Sequence, residues 1–359
     1  MLKNVLVTGG AGFVGRNLIA RLICDKVAAS IWLIDDLSTG ISPSKWPEIN
    51  LGEAGFENKL ELFKAQGSDT VIKFIKSDVL PIFLAELGNI EAVQNFKLPQ
   101  MDAVYHLASI VGGRVKIDGD PLSVGTDLAI DSIFFLWAAK INRPLRILYA
   151  SSSAAYPISL QEAGKDIALS ESMIDFESGF AVPDFTYGWS KLTGEYLSKI
   201  AHRNYGLSVA VIRPFSGYGE WQEPVYPVPA IAMRAAAKYD PLYVWGTGEQ
   251  SRDFVHIDDC VTCMILAIEK ISDGSAVNIG SGVPTSFLEL AKLMGDIAGY
   301  KPNVTGKMGM PVGVANRYCD PAYTRKTLGF YPTIGLREGM TRVVEVARNR
   351  IEIGIAIPE

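Results

Sequence analysis

Val5-Leu6-Val7-Thr8-Gly9-Gly10-Ala11-Gly12-Phe13-Val14-Gly15 lies close to the first residue, and its reading decides the fold. The apolar run Val5 to Val7 predicts a buried strand, and Gly9, Gly12 and Gly15 then punctuate a tight turn into a helix. Such a turn lets backbone amides approach a pyrophosphate at a helix N-terminus, where the helix dipole favours negative charge. Glycines alone would also fit a strand–turn–helix corner with no ligand. The next strand, Ser30 to Ile34, supplies context. It ends on Asp35 and Asp36, about 20 residues past the glycines, where an acid holds an adenosine ribose.

Outward from this motif, short apolar runs alternate with helical patterns, the signature of a parallel sheet with crossover helices. Strands are predicted at Asn4–Thr8, Ser30–Asp35, Val71–Lys76, Ala103–Leu107, Arg146–Ser151 and Ser208–Arg213, with helices starting near Gly12, Pro81, Pro121 and Tyr187. Residues 38–70 form a long connection, with a short helix expected around Lys59 to Lys64. Past Arg213 the pattern changes: a helix over Pro229 to Lys238, a strand at Leu242–Trp245, a helix–strand–helix stretch over Val261–Gly299 and a last helix after Leu336. The expected architecture is α/β, a Rossmann-type doubly wound parallel sheet with a smaller C-terminal α/β lobe. Residues 1–213 form the dinucleotide-binding part, to which later segments can return, and 214–359 mainly the interleaved substrate lobe.

At 359 residues the chain can bury a large core, and a net charge of −5 offers no basic surface for nucleic acid. The N-terminus reads as a core strand rather than a secretory signal, and no apolar run reaches the ~20 residues of a membrane helix, so a soluble cytoplasmic protein is expected. Cys260 and Cys263 form a CxxC inside a helical pattern without a second ligand pair, which reads as two buried thiols. His106, His202 and His256 lack metal-ligand spacing, and no metal is expected.

A second motif carries chemistry. In Tyr187-Gly188-Trp189-Ser190-Lys191 the phenol and the ammonium, four residues apart, share a helix face. A phenol is a poor base at neutral pH, and a neighbouring Lys⁺ and an oxidised nicotinamide would lower its pKa. Strand Arg146–Ala150 ends in Ser151-Ser152-Ser153, where a hydroxyl can orient a substrate alcohol for proton transfer to Tyr187. Either feature alone fits an ordinary amphipathic helix or loop.

Together these motifs, with Ser77-Asp78-Val79, Tyr105-His106-Leu107-Ala108-Ser109, Arg213-Pro214-Phe215, Ser251-Arg252-Asp253-Phe254-Val255-His256 and Arg317, resemble the extended short-chain dehydrogenases/reductases in order and spacing over essentially the whole chain. The resemblance implies NAD as cofactor, cradled by Gly9, Gly12, Phe13, Val14 and Gly15. Asp35 would hold the ribose beside Asp36 and Ser38, Asp78 and Val79 would flank adenine, and Leu107, Ala108, Ser109, Ala150 and Pro214 would line the cleft. It implies Ser152, Tyr187 and Lys191 as the catalytic residues, Lys191 also anchoring the cofactor ribose. For a nucleotide-sugar substrate it implies Gly112, Gly113, Ser152, Ser153, Tyr187, Ser216 and Gln222, with Arg252 and Arg317 on the diphosphate. Relatives commonly form homodimers through the helix after Pro121 and the Tyr187 helix; Asp131, Phe134, Phe135 and Trp137 fit that role or a core-facing stripe.

Departures narrow the chemistry. Nucleotide-sugar 4,6-dehydratases carry an acid two residues after the catalytic hydroxyl, and often one before it; here Ala154 and Ser153 stand there. The wording is most similar to GDP-mannose 3,5-epimerase, whose Cys and Lys align with Ala154 and Gln222, neither able to carry a proton. What remains is hydride chemistry at one carbinol, C4 of a GDP-sugar: a 4-epimerase, a 4-dehydrogenase or ketoreductase, or a non-catalytic NAD-binding regulator.

Overall fold

Val5 and Val7 face one side of the first strand and Leu6 the other, and all three are fully buried. The strand therefore lies inside a sheet covered on both faces. The computed structural model describes residues 1–359 apart from 58, 59, 92–96, 113, 180 and 359. Along the chain run β1 (Leu2–Thr8), α1 (Phe13–Cys24), β2 (Ala28–Asp35), β3 (Leu51–Glu57), β4 (Leu60–Ala65), β5 (Val71–Lys76), α2 (Val79–Glu86) and β6 (Ala103–His106). There follow α3 (Arg114–Gly119), α4 (Pro121–Val124), α5 (Asp127–Trp137), β7 (Arg146–Ala150), α6 (Phe185–Tyr205), β8 (Val209–Pro214), β9 (Ser216–Tyr218), α7 (Pro227–Ala236) and β10 (Leu242–Trp245). The remainder comprises β11 (Ser251–His256), α8 (Ile257–Lys270), β12 (Asp273–Ile279), β13 (Pro284–Ser286), α9 (Phe287–Ile297), β14 (Val304–Lys307), β15 (Asn316–Arg317), α10 (Ala322–Leu328) and α11 (Leu336–Glu352).

The main sheet has nine strands in the order β12-β8-β7-β6-β1-β2-β5-β4-β3, parallel from β12 to β5. Strand order reverses between β1 and β6, which opens a crevice at their C-terminal ends. The smaller lobe has its own core around Ile231, Met233, Leu290, Met294 and Val343. It is tied to the main sheet through β9, which follows β8 directly and pairs with β11.

One expectation is corrected. The helix expected near residues 59–64 is β4, half of a hairpin antiparallel to β3 and β5 (Lys59 itself lies outside the described residues). Leu60 and Phe63 are both buried, a spacing that mimics one helical turn, but Phe63 pairs with Ile72 and packs on Phe74 at the sheet edge. The α8–β12 stretch is a later segment that returns to the main sheet: β12 pairs with β8 and α8 packs against α1. Short apolar strands carry no mark of which sheet they will enter.

The segment Pro121–Asn142 is, at 22 residues and a mean hydropathy of 1.4, long and apolar enough to cross a membrane by composition, yet half of it is buried inside the protein. Phe134, Phe135 and Trp137 are at most 5% exposed and stack against Phe83 and one another. They form the core-facing stripe.

Candidate active site

The glycine turn has the shape of a cradle. Gly9 takes a φ of +67°, and a Cβ there would stand 2.7 Å from the Ala108 amide nitrogen. Residue 15 has no room for a Cβ beside Gly10. At Gly12, the N-cap of α1, a Cβ would meet nothing nearer than Gly9 O at 3.4 Å, so the helix start stays open with no side-chain cap. Thr8 Oγ1 accepts the amides of Leu107 (3.2 Å) and Ala108 (3.3 Å), which fixes the end of β6 against the end of β1. Asp35, at the end of β2, accepts from Ala11 N at 2.9 Å and Leu37 N at 2.8 Å. Burial pushes its carboxyl above the usual range although those amides oppose the shift. Each carboxylate oxygen keeps a lone pair for a ribose hydroxyl. These residues fit NAD.

A cavity of about 1210 Å³ runs from this turn to the lobe. Among the sequence-predicted cofactor residues, Gly9, Gly12, Phe13, Val14, Gly15, Leu107, Ser109, Ala150, Tyr187, Lys191 and Pro214 line it. Asp35, Asp36, Ser38, Asp78, Val79 and Ala108 do not. Asp78 caps α2 by accepting from Leu80 N at 2.9 Å, and Val79 is buried in the core. All predicted substrate residues line the cavity except Gly113, which lies outside the described residues.

The Tyr187–Ser152 geometry follows from close packing of α6 on the turn after β7. Asp184 N donates to Ala154 O at 2.9 Å, and Gly188 lies so close to that carbonyl that a Cβ could not fit. The Tyr187 phenol and the Ser152 hydroxyl thereby face the same cavity, close enough for Ser152 to lower the phenol's pKa. Lys191, 3% exposed, lies one turn further with Nζ 5.8 Å from the Tyr187 ring centroid. Burial raises the Tyr187 pKa; Lys191 and Ser152 pull it down, whereas Asp127 and Asp131 push it up. Lys191 thus pulls in the expected direction, while in the protein without cofactor desolvation outweighs it. Lys191 is held charged above its ordinary range, Asp131 and Asp127 outweighing its burial.

At the lobe end three guanidinium groups gather. Arg114 Nη1 donates to Asp184 Oδ1 at 2.9 Å, and Arg317 Nη2 donates to Asp184 Oδ2 at 2.8 Å. Arg252 has no carboxylate and donates to the carbonyls of Ser251, Val314 and Val312. Burial and the like charges of Arg317 and Arg114 push the Arg252 pKa down to about 9. That is the mark of a positive cluster short of an anion. Gln222, 8% exposed, donates from Nε2 to Gly217 O at 3.3 Å, while its Oε1 has no partner. Ala154 lines the same region. Sequence reasoning missed Arg114 and Asp184. Asp184 could have been found from its place one helical turn before Tyr187, and Arg114 from its position beside the glycines after β6.

The predicted structural roles of the histidines and thiols have clear counterparts. His106 Nε2 meets Asp131 at 3.2 Å and His256 Nε2 meets Glu220 at 3.0 Å. Cys260 and Cys263 are free and buried on α8.

Residues 5–280 match the NAD dependent epimerase/dehydratase family. The chain is 28% identical over 344 residues to an uncharacterised UDP-glucose epimerase, YtcB, of Bacillus subtilis strain 168, covering 95% of this chain and 96% of that one. It is 30% identical over 343 residues to GDP-mannose 3,5-epimerase 1 of Oryza sativa subsp. japonica, covering 94% and 79% respectively. The crystal structure of UDP-glucose 4-epimerase from Thermotoga maritima, with UDP-glucose, superposes with a TM-score of 0.76 at 24% identity over 97% of this chain and 99% of that one.

Proposed function

The chain belongs to the NAD dependent epimerase/dehydratase family, and from that premise we propose that it epimerises a GDP-sugar at C4 by removing and returning one hydride. NAD is the cofactor, and when bound it supplies the hydride acceptor and donor. Tyr187 would take the carbinol proton, Ser152 would orient that hydroxyl, and Lys191 would hold positive charge beneath the phenol. Arg252 and Arg317 would grip the diphosphate, and the unpartnered Gln222 Oε1 would accept from a sugar hydroxyl.

One observation carries the reading: Tyr187 and Ser152 face a cavity in which, among the described residues, every lining carboxylate is already ion-paired. Asp184 is held by Arg114 and Arg317, Glu223 by Arg16 at 3.1 Å and Asp120 by Lys116 at 3.1 Å. Ala154 and Gln222 carry no exchangeable acid or base. Elimination of water, or proton exchange at C3 or C5, needs such a group; hydride return at one carbinol does not. The guanine preference is supported by the 30% identity to GDP-mannose 3,5-epimerase 1. Two copies would pair through α5 and α6, where Leu128, Leu136, Trp189 and Tyr196 are exposed.

Incubation with GDP-, UDP-, CDP- and dTDP-sugars, following NADH absorbance and the sugar product, tests the proposal. It predicts a C4 epimer of a GDP-sugar without net NADH. Released keto sugar with stoichiometric NADH would make the protein a 4-dehydrogenase. No conversion by protein shown to hold NAD would refute an enzymatic role on these sugars.

A further inference from the structure

Behind Lys191, away from the cavity surface, lie two carboxylates that the reaction does not consume. Asp127 Oδ2 accepts from Ser109 Oγ and its Oδ1 from Ile110 N, both at 2.6 Å, and Ser109 itself lines the cavity. Asp131 accepts from Tyr149 OH at 2.5 Å and from His106 Nε2 at 3.2 Å. Lys191 Nζ lies 5.5 Å from the centroid of that same Tyr149 ring. On α6, one turn past Lys191, residue 194 is glycine, and a Cβ there would collide with the Tyr149 hydroxyl and come within 2.8 Å of Asp131 Oδ2. The helix bearing Lys191 is therefore packed directly on the Asp131–Tyr149 pair.

The charges around Lys191 can be followed element by element. From α5 come Asp127 and Asp131, each 1% exposed. From α6 come Lys191, Tyr187 and Glu195, and Glu195 is taken up by Arg213 of β8 at 2.7 Å. From β6 comes His106, which burial keeps below its ordinary pKa and hence neutral, with Nε2–H donating to Asp131 and Nδ1 accepting from Thr8. From β7 comes Tyr149, a phenol held well above its ordinary pKa by burial and by Asp131. Two buried carboxylates thus face one ammonium, and the pocket is one positive charge short.

We propose that Asp127 and Asp131 are positioning residues that bias the bound cofactor toward its oxidised form, by supplying the buried negative charge that a cationic nicotinamide completes. Adding a hydride to NAD⁺ cancels the ring's single positive charge, so NADH leaves the pair under-compensated. This rests on the NAD reading above and deepens it. A cofactor so biased returns its hydride readily, which suits a cycle that ends with the sugar reduced again.

The test needs no sugar and no turnover. Purified holoenzyme is equilibrated with NAD⁺/NADH mixtures of known ratio, freed of unbound nucleotide, and the bound ratio is read by absorbance. Asp127→Asn and Asp131→Asn each keep the shape and one of the two hydrogen-bond acceptors and remove one charge. Each should shift the bound ratio toward NADH by roughly tenfold, the effect of one unit charge roughly 12 Å away at an effective dielectric near 20. Lys191→Met, which removes the opposing charge, should shift it the other way, and this arm decides the question if an aspartate variant does not fold. Ratios unchanged within about twofold in folded variants would overturn the inference while leaving the NAD reading intact. Failure of wild-type protein to bind either form would overturn both.

Discussion

Asp184 Oδ2 accepts a hydrogen bond from Arg317 Nη2 at 2.8 Å, three residues before Tyr187. The start of the helix that carries the phenol therefore also fixes a guanidinium at the lobe end of the cavity. Arg114 grips the same carboxylate at 2.9 Å from the loop side, so one buried aspartate ties three segments across the cleft. Asp184→Asn should raise the KM for the nucleotide sugar roughly tenfold with a smaller change in kcat, because it loosens Arg317 without touching the phenol. Steady-state kinetics on the variant check the split.

The same carboxylate sets an acid limit. Burial raises the Asp184 pKa, but the charges and hydrogen bonds of Arg317 and Arg114 outweigh it, and the net shift is downward. A depressed folded-state pKa contributes stability that is present above the unfolded value near 4 and lost as pH falls through the folded one. Wild type should therefore gain stability over Asp184→Asn above about pH 4 and lose that advantage at more acidic pH, as read by thermal melts across pH 2–6.

Tyr187→Phe should lose about 10²–10⁴-fold in turnover while binding NAD as before. Because burial holds the free phenol above its ordinary pKa, kcat/KM should rise toward alkaline pH. Bound NAD⁺ should lower the apparent pKa of the phenol, which ultraviolet difference titration of the protein with and without cofactor measures directly.

Gly188→Ala tests the packing that brings the pair together. The added methyl meets Ala154 O, so α6 must move off the Ser152 turn. The variant should fold, with a loss of about 1–3 kcal/mol by chemical denaturation, and its kcat should fall more than its affinity for NAD.

Asp35→Ser removes the carboxylate that repels a 2′-phosphate. NAD affinity should drop and the preference for NAD over NADP should narrow by roughly tenfold or more, measured by competitive binding of the two dinucleotides.

Much of this was legible in the sequence for definite physical reasons. Gly9 and Gly15 mark backbone approaches that side chains would block, and Tyr187 and Lys191 fall one helical turn apart, so local spacing alone put them on one face. The strand Val71–Lys76 was read to the residue because its apolar run is bounded by turn residues. The β4 strand was misread because Leu60 and Phe63 mimic a helical turn, and only pairing with Ile72 decides otherwise. Asp184 and Arg114 are 70 residues apart and meet only through the tertiary fold. The upward pull on the Tyr187 pKa comes from burial and from Asp127 and Asp131 on another helix, which no local pattern around Tyr187 could reveal.

The central claim, hydride removal and return at a single carbinol, is tested most directly by running the reaction in D₂O with the accepted nucleotide sugar and following the sugar protons by NMR. The account predicts a C4 epimer with no deuterium at any sugar carbon, since the hydride returns from the cofactor and Ala154 and Gln222 offer no acid or base for exchange at C3 or C5. Deuterium at C3 or C5 of the product would contradict it.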